Sequence, residues 1–276
     1  GGLLVAGALT DIDITGSGTL TSGASGIDLS ASAVNLSLGT PVALAANQTW
    51  SVTNNRTLAV SGSVGGAFGL TKTGGGIVAL TGSNNTWTGS TVVNAGTLNL
   101  SGGFGGVIGT VSSVLGVGFA SGTTGAVAVI GGGTFAATKL MVGYTGGSGN
   151  TTQGNGWLIV TNGTINVTNT ANYFVIGGEE ANPAKGTVGA GQVDLSGSGT
   201  INFSPKTVSD IEMGTRGGRG VLNVGGNATL TGNHLQLGLG AGPASTNARV
   251  YVTQSGGTVA LSDNTGLLFM NTMSGG

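Results

Sequence analysis

Apolar and polar residues alternate along this chain in short bursts, and glycine, asparagine or serine closes most of them. Leu98-Asn99-Leu100, Ile165-Asn166-Val167 and Ile201-Asn202-Phe203 each set two apolar side chains on one side and a polar one on the other. That is the period-two signature of a strand with one buried face. A Gly-Thr dipeptide introduces many of these bursts, at Gly18-Thr19, Gly96-Thr97, Gly133-Thr134, Gly163-Thr164, Gly199-Thr200 and Gly257-Thr258. Arg56-Thr57-Leu58-Ala59-Val60 and Asn227-Ala228-Thr229-Leu230 are degenerate copies. Neighbouring copies lie 28 to 40 residues apart, a spacing typical of solenoids and propellers. The pattern predicts that each Thr faces outward while the next apolar residue stacks inward.

A second recurring strand ends in glycine: Leu140-Met141-Val142-Gly143, Phe174-Val175-Ile176-Gly177, Ile211-Glu212-Met213-Gly214 and Leu235-Gln236-Leu237-Gly238. Each unit therefore holds two or three short strands, and no ten-residue stretch has helical periodicity. A β-propeller would also repeat near 40 residues, but its blades usually carry bulky aromatics, and this chain is 5% aromatic. Small interior residues and glycine corners favour an all-β fold, a right-handed parallel β-helix of about nine to eleven coils. One continuous solenoid over 1–276 is expected. Within it, 1–102 reads as longer-period coils, 103–120 as a glycine-rich apolar junction, and 121–276 as two-strand glycine-rich repeats.

Composition supports order and removes several function classes. Glycine supplies 59 of 276 residues and charged residues 6%, yet the apolar positions are periodic, unlike the low-hydrophobicity, high-charge signature of disorder. The eight Lys and Arg are scattered singly and the net charge is −1, so nucleic acid is not an expected partner. No apolar run approaches the ~20 residues of a membrane-spanning helix. No cysteine is present, which permits an oxidising compartment without demonstrating one.

The segment Gly69-Leu70-Thr71-Lys72-Thr73-Gly74 runs through a strand to Asn85-Thr86-Trp87-Thr88-Gly89, and after another strand to Ala95-Gly96-Thr97-Leu98. Its order strongly resembles the autotransporter-associated β-strand repeat, also called the passenger-associated transport repeat. It differs by one extra residue near Ser83 and by Ile77, where a small polar residue is more usual. The resemblance covers residues 69–100 and rests on Gly69, Leu70, Lys72, Gly74, Asn85, Thr86, Trp87, Gly89, Gly96, Thr97 and Leu98. It implies a bacterial secreted or surface protein with a β-helical passenger-like stalk, and it supplies no catalytic residue.

Candidate chemistry is sparse. Asp210 and Glu212 share a strand face two residues apart, and Asp194 reads as one strand earlier, so these three are the best carboxylate candidates for a polysaccharide lyase or hydrolase. A solvent-facing strand pair with Arg216 or Arg219 nearby is the favoured reading of them. Asp11-x-Asp13 and Glu179-Glu180 lack the oxygen-rich loop that Ca²⁺ requires and read as solvated turns. His234, the single histidine, cannot build a multi-histidine metal site. The glycine-rich stretches lack a phosphate-loop Gly-Lys-Ser/Thr, and no cofactor is expected. Trp50, Trp87 and Trp157 could stack on sugars, but their strand positions predict that each covers a coil interior.

Neither Gly1-Gly2-Leu3-Leu4-Val5 nor Leu267-Leu268-Phe269-Met270-Asn271 carries the polar cap a solenoid end needs. That predicts continuation into a longer solenoid or end-to-end self-association, which as a heterologous contact would build a filament. The functional expectation is a non-enzymatic extracellular rod or fibre subunit, meeting a surface receptor or carbohydrate. The alternatives are the carbohydrate-active enzyme and the plain stalk of an autotransporter adhesin.

Overall fold

The protein is seen in a computed structural model that describes residues 1–102, 107–109, 113–119, 124–129, 133–145, 154–168, 174–179, 189–204, 210–215, 218–238, 249–261 and 268–270. Among the described residues every regular element is a strand, and every pairing is parallel. The chain visits three walls in turn. The first wall is an eleven-stranded sheet and the second a ten-stranded sheet. The third is divided into a three-stranded and a six-stranded sheet. Each wall's strand pairs with the strand one circuit earlier, which makes the molecule a parallel β-helix.

Alternation along each strand fills the interior. Thr97, Thr134, Thr164, Thr200 and Thr229 are half-buried, while Leu98, Phe135, Ile165, Ile201 and Leu230, the next residue in each case, are buried. These inward side chains belong to one cluster extending from Val5 to Leu235. Strands this short are marginal alone, so each coil is held by burial against the coils above and below it.

The Gly-Thr copies do not mark one position of the coil. Thr57 and Thr97 lie on the second wall, both in register with Ile77 between them. Thr134, Thr164, Thr200, Thr229 and Thr258 form an unbroken ladder on the third wall. Counting from copy to copy therefore skips circuits in the first part of the chain. The coils over 1–102 are the shorter ones, not the longer: Leu70 pairs with Thr91, 21 residues on, whereas Phe174 pairs with Ile211, 37 residues on. Extra residues in the later coils lie between strands and leave the stack in register.

Glycine sets how closely the first and second walls meet. The first-wall strands turn toward the second wall at Gly118, Gly143, Gly177 and Gly214, all at positive φ between 59° and 67°. Facing them is a second-wall column, Gly96, Gly125, Gly156, Gly191 and Gly220, in direct register. A Cβ on Gly177 would fall 1.8 Å from the Arg219 carbonyl oxygen, and one on Gly191 would fall 2.1 Å from that of Val142. Backbone meets backbone here with no room for a side chain.

The third wall changes sheet at the Asn-Thr-Trp segment. The Thr86 and Thr88 amides donate to the Val64 and Gly66 carbonyls at 2.8 and 2.9 Å, and the Gly109 amide donates to the Trp87 carbonyl at 2.8 Å. Residues 85–88 thus splice the three-stranded sheet to the six-stranded one. The 103–120 stretch contributes Val107–Ile108 to the third wall and Val114–Val117 to the first.

Replacing Gly177 by Ala combines a left-handed backbone cost of about 1–2 kcal/mol with a steric overlap that must be relieved by moving a wall. We expect Gly177→Ala to lower the urea unfolding free energy by roughly 2–4 kcal/mol. Gly18→Ala, with nothing within 4 Å of the added carbon, should change it by less than about 0.5 kcal/mol.

Candidate functional site

The repeat residues at 69–98 all serve the coil. Leu70 and Leu98 are buried, and Gly74 and Gly96 sit at positive φ where the chain turns. Lys72 points inward, and its Nζ donates to the carbonyls of Thr73 (2.7 Å), Gly74 (2.6 Å) and Ala95 (3.1 Å). The side chain ties one first-wall corner to the same corner of the next coil. Burial pushes its pKa down to about 8 from an ordinary 10.5, and three carbonyl acceptors match the three donors of the ammonium group. Asn85 is fully buried, its Oδ1 accepting from the Val64 amide (2.8 Å) and its Nδ2 donating to the Gly82 carbonyl (2.9 Å). Trp87 fills the interior beside Phe135 at 6.5 Å, edge to face, and donates to Thr91 Oγ1 at 2.9 Å. Thr86 and Thr97 reach the surface, and Gly89 packs against the Gly69 backbone.

The surface with chemical character is the outer face of the second wall. An open groove of about 560 Å³ runs along it, lined by Thr97, Ala126, Trp157, Gln192 and Arg219 among others. Trp50 and Trp87 are buried as expected, but Trp157 is not an interior cover. It is 45% exposed, because it occupies an outward position of the strand Asn155–Val160, whose inward residues are Gly156, Leu158 and Val160. Its indole N–H donates to Asp194 Oδ2 at 2.6 Å. Gln192 Nε2 donates to both oxygens of the same carboxylate at 3.1 and 2.9 Å, and Asn223 Nδ2 donates to Oδ1 at 2.7 Å. One acid thus joins three successive strands.

The carboxylates proposed from sequence are divided between walls. Asp194 lies in the second-wall strand Ala190–Leu195, whereas Asp210 and Glu212 lie in the first-wall strand Asp210–Met213. The third-wall strand Thr200–Phe203 comes between them in the chain, so Asp194 is two strands earlier rather than one. Asp210 is in register with His234, and Glu212 with Gln236. The side chain of Asp210, like those of Arg216 and Glu179, lies outside the described residues. Asp11 has a structural partner: it accepts from the Asn35 amide (2.8 Å) and Asn35 Nδ2 (2.9 Å), and these bonds lower its pKa. Among the described residues no group of three or more His, Asp and Glu is placed to hold a metal ion.

Sequence reasoning missed Gln192, Asn223 and the partnership of Trp157 with Asp194. A signal was present. Gly156-Trp-Leu-Ile-Val, Gly191-Gln-Val-Asp-Leu and Gly220-Val-Leu-Asn-Val share one frame, and aligning them at glycine puts Ile159, Asp194 and Asn223 in one column, as the register does.

Comparison with known families agrees with the resemblance. The passenger-associated-transport-repeat model matches residues 70–100. The chain is a parallel β-helix that carries a passenger-associated transport repeat, a repeat of autotransporter passenger domains. No curated protein and no solved structure matches the chain. No helix among the described residues is long and apolar enough to cross a membrane.

The repeat side chains make two expected outcomes. Asn85→Ala leaves the buried Val64 amide and Gly82 carbonyl unpaired, and should cost about 2–4 kcal/mol of unfolding free energy. For Lys72 the folded-state pKa is the depressed one, so between about 8 and 10.5 the unfolded chain binds more proton than the folded chain. Stability from this group therefore rises as pH climbs through that window. The thermal midpoint of the native chain should rise relative to that of Lys72→Met between pH 7.5 and 10, and a constant difference would refute the assignment.

Proposed function

We propose that this chain is a non-enzymatic structural β-solenoid, a rigid rod displayed outside a bacterial cell and serving attachment or scaffolding. The carrying observation is that the passenger repeat spends its distinctive side chains on the coil. Lys72, Asn85 and Trp87 are fully buried; Lys72 and Asn85 are bonded to neighbouring coils, and Trp87 bonds Thr91 and packs edge to face on Phe135, which is a repeat that specifies length and stiffness. The division of Asp194 from Asp210 and Glu212 between two walls weighs against hydrolysis by a carboxylate pair that includes Asp194. The plain stalk of an autotransporter adhesin is the narrower form of the same reading. Coils stacked through backbone hydrogen bonds are extensible, which supports a longer solenoid or end-to-end association of copies.

Eleven first-wall strands at ~4.8 Å correspond to a rod roughly 50 Å long. Negative-stain electron microscopy of the purified chain should show rods of that length or linear multiples of it. Cleavage of a polysaccharide by the purified chain, abolished by Asp210→Asn or Asp194→Asn, would replace the structural reading with the enzymatic one.

A further inference from the structure

The groove on the second wall presents an aromatic ring that the fold does not need for packing. Trp50 and Trp87 are enclosed, whereas Trp157 stands 45% exposed. Its one polar atom is already bonded to Asp194, so what it offers to solvent is ring face. Gln192 and Asn223 grip that carboxylate from the next two strands, which holds the indole in one orientation before any ligand arrives. Pre-ordering a contact surface in this way lowers the entropy cost of binding.

Register extends the surface. Trp157, Gln192, Val221 and Tyr251 occupy one column across four successive strands. Tyr251 is 52% exposed, and three strand spacings put it about 14 Å from Trp157. Trp157 lines the groove and Tyr251 continues its column beyond the lining residues, an elongated surface that suits an extended chain rather than a compact ligand. In the adjoining column Arg219 and Arg249 are direct cross-strand neighbours, both exposed. The Arg219 guanidinium sits 5.9 Å over the Tyr251 ring. Like charges placed opposite one another are unfavourable, and among the described residues neither arginine is paired with a carboxylate. Asp194, the acid of this face, is engaged by Trp157, Gln192 and Asn223.

We propose that this groove binds an acidic saccharide chain, with a sugar ring stacked on Trp157 and the carboxylate of a neighbouring unit held by Arg219 and Arg249. A pyranose has an apolar C–H face for the indole and hydroxyls at its rim for Gln192, Thr97 and Thr124, which also line the trough. Gly125 and Ala126 keep the floor beside Trp157 flat. The assignment adds a ligand to the rod and is independent of where the rod is displayed. Loss of binding would leave the structural role standing, and an enzymatic role would show instead as cleavage of the bound chain.

The test is a titration of the purified chain with oligogalacturonate, read by tryptophan emission and by calorimetry. Trp157 is the exposed tryptophan, so a saturable change in emission is expected. Affinity should fall at least about tenfold in Trp157→Ala and about five- to tenfold in Arg219→Gln and Arg249→Gln, and it should weaken with added salt. Trp157→Phe, which retains a ring, should keep affinity within a few-fold of the native chain. Circular dichroism checks that each variant folds, and the exposed arginines carry the test if a Trp157 variant does not. The proposal is overturned if oligogalacturonate does not bind, if a neutral cello-oligosaccharide binds as tightly, if oligo(dT) binds more tightly, or if the arginine variants bind undiminished.

Discussion

Contact between the first and second walls is made by backbone, and the coil depends on that close approach. Gly143, Gly177 and Gly214 turn the first-wall strands at positive φ, and Gly156, Gly191 and Gly220 receive them from the second wall. At Gly143 and Gly177, carbonyl and amide groups of the two walls approach within distances that any Cβ would block, while Gly214 faces the side chain of Val250. The cross-section is therefore fixed by glycine at the seam and by the volume of leucine, valine and isoleucine in the interior. Circuits lengthen from 21 to 37 residues while each wall keeps its parallel register.

The passenger repeat solves a different problem. Where the third wall passes from one sheet to another, no regular strand continues the ladder, and buried backbone groups would be left without partners. Asn85 supplies an acceptor for Val64 and a donor for Gly82, and the backbone around Trp87 carries the hydrogen bonding on to Gly109. Lys72 does the same at another corner, with one ammonium group for three carbonyls. These polar side chains are inside the rod because the backbone there lacks a neighbour. The specificity of the motif follows from that need.

On the outside, the same register that orders the core aligns surface side chains. A residue on one strand meets its counterpart on the next coil, so Asp194 can bond Trp157 before it and Asn223 after it. Polar ladders elsewhere follow the same rule: Asn202 donates to Asn166 at 3.0 Å, and Thr231 donates to Asn202 at 3.3 Å. In a solenoid a surface site is built from residues roughly 30 apart in sequence, which is why no compact motif announces the groove around Trp157.

The alternation of Thr with Leu, Ile or Phe determined by itself that this chain forms strands with one buried face, and the glycine-ended strands such as Phe174-Val175-Ile176-Gly177 determined where those strands turn. Both are local properties of the backbone and its nearest side chains. The order of Lys72, Asn85 and Trp87 was likewise legible as a passenger repeat. Tertiary structure alone decided which wall each strand joins, and so why the Gly-Thr copies fall on different walls and their spacing misstates the coil length. It also decided that Trp157 faces outward and that Asp194 is separated from Asp210 and Glu212. Wall membership depends on the number of residues between strands, which one-dimensional periodicity does not record. Side-chain partnership across coils depends on register, which only the stacked backbone fixes.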